Sequence, residues 1–538
     1  VSEIGAKACM NLKALSTLNL KDATNLVTIG ERAFAHCPYL STIIPPTNEN
    51  ISSVGKNVFY RTSFENNYFK NNGGKEFIVV GKVVYKYVGD PNKTEIDLSK
   101  DEYYTAENCT ASAEDIAKFN LQIKNANTFA TGAFANCTAL ETITLGDNIK
   151  TIHNYAFENL AALDNLIVGA TSTIQNISED AFSGCDNFLS AESKAYDATT
   201  KAIIIGSVYY RFIDETATSA TIDGSRTPYI APEAFRNRGN VENVSIMHKD
   251  KILAVGKNAF YNTTWIQRNG SDCVNDGFTV VNGIFTEYYI DKYDANKVNL
   301  TIPSDVAKIG EWAFNTYAQY VKTVQIKANV GRIYDYAFAG ATSLTSLIFT
   351  EATVDGANNL VTGLPAISKH AFADKSGKLI DGVKFYFKED VIQFFQRITD
   401  GTITTEDAIT NEWYIFYKLN VENFVAEDIS NVWINTKLIS DKLLRTVAGG
   451  NPLTLAYGET IDNALVILGN TGVVRYETLD YAKNEVQLVL VQQGDEQFGY
   501  LYEEGVEKYV VTFSYDGKTK GCEINGGDEH LFVITVTD

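Results

Sequence analysis

An α/β repeat solenoid with hairpins inserted at intervals, followed by an all-β domain, is the fold class that this 538-residue sequence predicts. Three observations carry the expectation. An Ala-Phe pair recurs at a near-constant interval. Apolar residues after each Phe keep a fixed spacing. A second, hairpin-like motif sits in each of the three long gaps between pairs.

The anchor is Ala-Phe preceded four residues earlier by an apolar residue. It reads Ile29…Ala33-Phe34, Val54…Val58-Phe59 (Val for Ala), Phe129…Ala133-Phe134, Ile152…Ala156-Phe157 and Ile177…Ala181-Phe182. It continues as Ile230…Ala234-Phe235, Val255…Ala259-Phe260, Ile309…Ala313-Phe314, Ile333…Ala337-Phe338 and Ile367…Ala371-Phe372, and a degenerate copy, Ile4…Ala8-Cys9, opens the chain. Neighbouring anchors lie 25 residues apart (Phe34 to Phe59, Phe157 to Phe182, Phe235 to Phe260), 23 (Phe134 to Phe157) or 24 (Phe314 to Phe338). A fixed period of that size marks a stack of short units, each too small to bury its apolar side without neighbours.

Within a unit, Cys137, Leu140, Ile143 and Leu145 follow Phe134, and Leu160, Leu163, Leu166 and Val168 follow Phe157. The early spacing of three predicts a short helical or 3₁₀ turn, and the later spacing of two a short strand. We therefore expect one turn-helix segment and one strand per unit.

The long gaps share a second motif: Val79–Tyr87, Ile204–Phe212 and Val280–Tyr288, each a strand, a Gly-containing turn and a strand. Asn282-Gly283 is a two-residue hairpin signal. The hairpin insertions are expected near 77–90, 202–215 and 278–291. The first gap also contains a helix-like run, Ala111–Phe119.

The pattern Ile-x-x-x-Ala-Phe-x-x-Cys-x-x-Leu-x-x-Ile-x-Leu, carried by ten Phe-anchored copies, resembles the BspA-type (Treponema-type) leucine-rich repeat over roughly Val1 to Phe424. The resemblance implies a leucine-rich-repeat solenoid and a bacterial cell-surface or secreted protein, with adhesion among the roles of such proteins.

After Phe372 the pattern decays. Val383–Phe387 reads as a strand, Asp390–Arg397 as a helix, and Trp413–Tyr417 as a bulky aromatic cluster. An open solenoid end exposes stacked core and needs a cap. The expected domains are 1–381, the solenoid with its hairpins; 382–424, its C-terminal cap; and 425–538, a small Ig-like β-sandwich of short strands separated by turn signals such as Asp516-Gly517. Asp516-Gly-Lys-Thr519 is not a phosphate loop, because position 512 is Thr where that motif needs its first Gly.

A net charge of −20 disfavours nucleic acid and anionic lipid as partners. No run of about 18 apolar residues predicts a membrane-spanning helix. The chain begins at Val1 inside a repeat, which predicts trimming or processing, so the lack of a leader excludes nothing. Seven cysteines show no zinc spacing, and five histidines lie far apart. Cys37, Cys137 and Cys185 share one slot, three after the anchor. Cys137 and Cys185 are two units apart, about 10 Å at the ~4.8 Å spacing of stacked strands, beyond disulfide reach. They read as buried core thiols. No catalytic, metal-binding or cofactor-binding residue emerges.

Tyrosines cluster in the hairpins, and period two puts Val83, Tyr85 and Tyr87 on one, core-facing side. The opposite side, with Tyr209, Arg211, Phe285 and Tyr289, is the candidate recognition surface, together with outward strand positions Thr142 and Thr144. The expected function is a non-enzymatic extracellular or bacterial cell-surface interaction protein, with a protein of a host, matrix or bacterial surface as partner. The alternative is a glycan-binding accessory module using exposed hairpin tyrosines.

Overall fold

The computed structural model describes residues 1–426 apart from 48–49, 136, 269, 271–272, 295–296, 350, 356–359 and 400–410; beyond 426 it describes only strand segments between 453 and 537. The chain divides into two compact units, Val1–Glu287 and Tyr288–Asp538.

In the first unit every complete repeat contributes two strands rather than one. The anchor supplies a two-residue strand that the sequence reading missed: Thr28–Ile29 pairs in parallel with Glu3–Ile4 and Ser53–Val54, and Thr151–Ile152 with Thr128–Phe129 and Asn176–Ile177. The second line of strands lies where expected. Thr142–Thr144 pairs in parallel with Glu95–Asp97 and Asn165–Ile167, Thr17–Asn19 with Thr42–Ile44, and Ser219–Asp223 with Asn243–Met247. The segment after the anchor, expected as a short helical or 3₁₀ turn, is built in most repeats from hydrogen-bonded turns rather than helix. The α/β reading is thereby corrected to a β-solenoid. The reason is geometric. A unit of about 24 residues that closes a full turn against its neighbours satisfies its amides between units, so an internal helix is not needed to pair them.

That pairing is explicit at the anchor. The Phe34 amide donates to Val58 O at 3.0 Å, and the Phe134, Phe157 and Phe235 amides donate to Ala156 O, Ala181 O and Ala259 O, each at 2.9 Å. The anchor rings stack along the same line: 6.0 Å between the Phe34 and Phe59 centroids, and 5.0 Å both for Phe134–Phe157 and for Phe157–Phe182. All of these rings are buried. The small residue beside each of these rings, Ala or Val58, is fully buried as well. Cys37, Cys137 and Cys185 are buried free thiols, as expected; the Cys185 Sγ donates to Phe157 O of the preceding turn at 2.8 Å. Burial pushes the Cys137 thiol up to about 11 and the Cys185 thiol up to about 12.

A hairpin insertion removes the carbonyl that the preceding anchor amide would meet. A side chain takes its place. The Phe59 amide donates to the Tyr85 hydroxyl at 3.1 Å, and Tyr85 in turn donates to Glu65 Oε2 at 2.9 Å. At the second break the Tyr210 hydroxyl donates to Glu179 O at 3.0 Å and its ring packs on Phe182. At the third, the Phe260 amide donates to Glu287 Oε1 at 2.9 Å. The hairpins are Phe77–Val80 with Val83–Tyr87, Ala202–Ile205 with Val208–Phe212, and Phe278–Val281 followed by Ile284–Tyr288. The helix expected in the first gap spans Ala113–Asn125, its N-cap Ser112 accepting from the Asp115 amide.

The second unit repeats the scheme. Arg332–Ile333 pairs with Lys308–Ile309 and Ala366–Ile367, while Asn299–Thr301, Thr323–Gln325, Ser346–Ile348, Lys384–Phe387 and Phe424–Ala426 form one parallel sheet. Phe314, Phe338 and Phe372 stack at 4.9 and 5.9 Å. Two helices follow, Glu389–Thr399 and Asn411–Leu419. The second buries Trp413 completely, its Nε1 donating to Pro365 O at 2.6 Å and its ring packed among Phe349, Phe372 and Phe387. Strands described between Leu453 and Thr537 form a mainly antiparallel sheet, with Leu453–Ala456 parallel to Tyr509–Tyr515. That sheet does not show the expected Ig-like sandwich, and the segments joining its strands lie outside the described residues.

Phe157→Ala should cost about 3–5 kcal/mol, read as a lowered urea midpoint of the full chain, because the cavity would lie between two stacked rings that cannot both close on it. Tyr85→Phe should cost about 1–3 kcal/mol, since it leaves the buried Phe59 amide without its acceptor. The same change at the exposed Tyr60 should stay within about 0.5 kcal/mol.

Candidate functional site

The strand line of the first unit offers the most regular open surface. In Glu95–Asp97, Thr142–Thr144 and Asn165–Ile167 the central residues Ile96, Ile143 and Leu166 point into the core and are buried. Period two turns the flanking residues outward. The register sets Glu95, Thr142 and Asn165 in one row and Asp97, Thr144 and Ile167 in the next. Thr142 and Thr144 are half-buried between their row neighbours, and Ile167 is 43% exposed. Asn165 Nδ2 reaches Thr142 Oγ1 at 3.5 Å, a weak link within its row. Asp97 Oδ1 accepts from the amide and hydroxyl of Ser99, which ties one edge of the face to the following turn. The result is a flat face of threonine, asparagine and carboxylate with one apolar side chain. It is held from behind by a packed core.

The hairpin side of the expected surface is corrected. Tyr209 and Phe285 are both 0% exposed, so neither can meet a partner. The expected core-facing set of Val83, Tyr85 and Tyr87 is buried throughout but is divided between the two neighbouring turns, and the opposite side is covered as well. The inserted strand lies in the solenoid wall between two turns. In the first hairpin Tyr85 packs on Phe59 of the preceding turn, while Val84 and Tyr87 join the cluster around Phe129 and Phe134 of the following one. In the second, Tyr210 packs on Phe182, and Tyr209 and Phe212 stack on Phe235. Arg211 is half-buried; its guanidinium donates to Glu179 O at 2.7 Å and lies over the Tyr210 ring. Tyr289 is half-buried against the Tyr317 ring, 4.7 Å away. Tyr85, Tyr87, Tyr209, Tyr210 and Tyr288 are all buried, which leaves the half-buried Tyr289 as the one of these six hairpin tyrosines that reaches the surface.

A surface aromatic column went unnoticed in the sequence. Trp312, Tyr336 and His370 each stand two residues before an anchor Phe, and their rings stack at 6.0 and 5.4 Å. Trp312 and Tyr336 have left-handed backbone, φ 58° and 57°. The signal was present: one offset from the anchor, aromatic in successive repeats. Their faces are turned to one another rather than laid side by side, so they form no coplanar platform for a sugar ring. The Lys375 ammonium sits over the Trp312 ring at 6.0 Å.

Among the described residues no group of three or more His, Cys, Asp or Glu could hold a metal ion, and no helix is long and apolar enough to cross a membrane.

The comparisons agree on the repeat. The family model described as BspA type leucine rich repeat region (6 copies) matches residues 1–80, 90–202, 203–271 and 291–380. No curated protein matches the chain. Similar solved structures include a leucine rich cell surface protein from Faecalibacterium prausnitzii, at 14% identity over 64% of this chain and 82% of that one, TM-score 0.17. The Treponema pallidum leucine rich repeat protein is 14% identical over 62% of this chain and 97% of its own, TM-score 0.17. A leucine-rich repeat protein from Bacteroides ovatus is 14% identical over 72% and 88%, TM-score 0.18. Such low TM-scores lend nothing to the reading of a site. The family match, spanning well over half of the residues, is sufficient by itself: the chain belongs to the BspA-type leucine-rich-repeat family.

Proposed function

We propose that this chain is a non-enzymatic interaction protein displayed on or secreted from a bacterial cell. In this reading it binds protein, with adhesion to a host, matrix or bacterial surface as its role. The observation that supports it most directly is the open strand face of Glu95–Asp97, Thr142–Thr144 and Asn165–Ile167. Its residues are polar or β-branched, and its central strand is paired on both sides. Such a face suits many weak contacts to a second protein surface, and a fixed scaffold lowers the ordering cost of binding. Thr142 and Thr144 carry the recognition proposal forward; Arg211 and Tyr289 contribute only their exposed edges. Extracellular location follows from family analogy, which is weaker support than a site.

The domain limits belong to the same proposal: a solenoid over 1–381, a cap over 382–424 and a separate β-domain over 425–538. The burial of Trp413 among core phenylalanines supports the cap.

A binding screen of the full chain against both matrix proteins and glycans tests the function. Saturable binding to a protein is expected, and saturable glycan binding with no protein hit would overturn the reading. Once a partner is in hand, the double change Thr142→Arg and Thr144→Arg should weaken it at least about tenfold, equivalent to about 1.4 kcal/mol, while unfolding free energy moves by less than about 1 kcal/mol.

A further inference from the structure

The three breaks in the solenoid are mended by different chemistry. The first uses the Tyr85 hydroxyl, backed by Glu65, which also receives the Lys86 ammonium. The second uses the Tyr210 hydroxyl and the Arg211 guanidinium, both directed at Glu179 O. The third uses a carboxyl. Glu287 stands at the same position in its hairpin as Lys86 and Arg211 do in theirs, and it is 0% exposed. Its Oε1 takes the Phe260 amide at 2.9 Å, while Oε2 is buried with no hydrogen-bond partner.

We infer that Glu287 makes the docking of the third hairpin onto the Phe260 turn sensitive to pH: the neutral carboxyl closes the seam, and the carboxylate loosens it. An acceptor is all that the orphaned amide requires, and a neutral carboxyl supplies one. An anion in the same place would need compensation that the surroundings do not offer. On the turn packed against it, Lys257 is paired with Glu179 at 2.8 Å, and the other titratable group is Tyr261. On the segment leading into the hairpin, Arg268 is paired with Glu242 at 2.7 Å, and Cys273 and Asp276 follow. On the hairpin strand itself Tyr288 donates to Lys297 O. Glu287 itself accepts from backbone. Burial raises its pKa to about 8, opposed only by the amides of Phe260 and Tyr261.

The sign follows. The folded value lies above the unfolded value of about 4.3, so the stabilisation is complete below that unfolded value and is lost as pH rises through 8. The first break behaves differently over this range. Burial holds the Tyr85 hydroxyl well above its ordinary value, so it stays neutral.

Hydrogen exchange of the full chain between pH 5 and 9, corrected for intrinsic rates, tests the proposal. Peptides covering 256–262 and 278–288 should lose protection by up to about tenfold per pH unit between about pH 5 and 8, the slope of one linked proton, and level off above. Peptides covering 54–62 and 77–87 should show no such slope. Glu287→Gln keeps a neutral acceptor and should abolish the slope, with greater protection than the parent at pH 9. A flat profile at the third break, an equal slope at the first, or an unchanged slope in Glu287→Gln would overturn the inference. If Glu287→Gln fails to fold, the comparison of the two breaks in the parent chain decides alone.

Discussion

Each turn of this protein must hand the anchor phenylalanine's amide to the turn that follows. That requirement shapes the rest. A stack of short turns has no helix in which to pair its backbone groups internally, so the amides must meet carbonyls of the neighbour. The Phe134 and Phe157 amides do so, and the same register that lines up the amides lines up the rings at 5.0 Å. Polar satisfaction and core packing are therefore one constraint: a slip of register would strand a buried amide and misplace a buried ring together.

The hairpins show how such a stack tolerates interruption. An inserted strand fills the wall of the solenoid but cannot offer its backbone at the spot the previous amide points to. Tyr85 and Glu287 reach across instead, and Tyr210 ties the second hairpin to Glu179 O. This use absorbs the side chains that composition alone would assign to recognition. A tyrosine-rich motif on a β-hairpin is a plausible paratope when one face is open. Here both faces are taken, one by each neighbouring turn, and the tyrosines become mortar. What remains for a partner is the quieter surface of threonine and asparagine rows over Ile96, Ile143 and Leu166.

Much of this was legible in the residues. The periodic Ala-Phe pair marks turns because a large ring and a small neighbour must alternate in a stack. Phe134, Cys137 and Leu140, the most regular stretch of the chain, turned out to be shared core. The inward Ile143 and outward Thr142 and Thr144 follow from period two. The two-residue strands at the anchor were missed because a strand that short has no periodicity to read. The segment after each anchor could be read only as a helical or 3₁₀ turn, because a spacing of three serves stacked turns as well as helices. Trp312, Tyr336 and His370 were overlooked because only the buried offset of the repeat was followed.

By itself, the sequence determined the repeat, its family, its core and its breaks, since those depend on local spacing and on apolar area that must be buried somewhere. Only the tertiary structure decided which side of each element meets solvent. Burial is a property of neighbours, not of a residue: Tyr209 and Thr142 both stand on strands flanked by other strands, yet one is packed under neighbouring rings and the other keeps an outward side. The same holds for Glu287, a charge by composition and a buried acceptor by position, because the amide it serves comes from Phe260, 27 residues earlier in the chain.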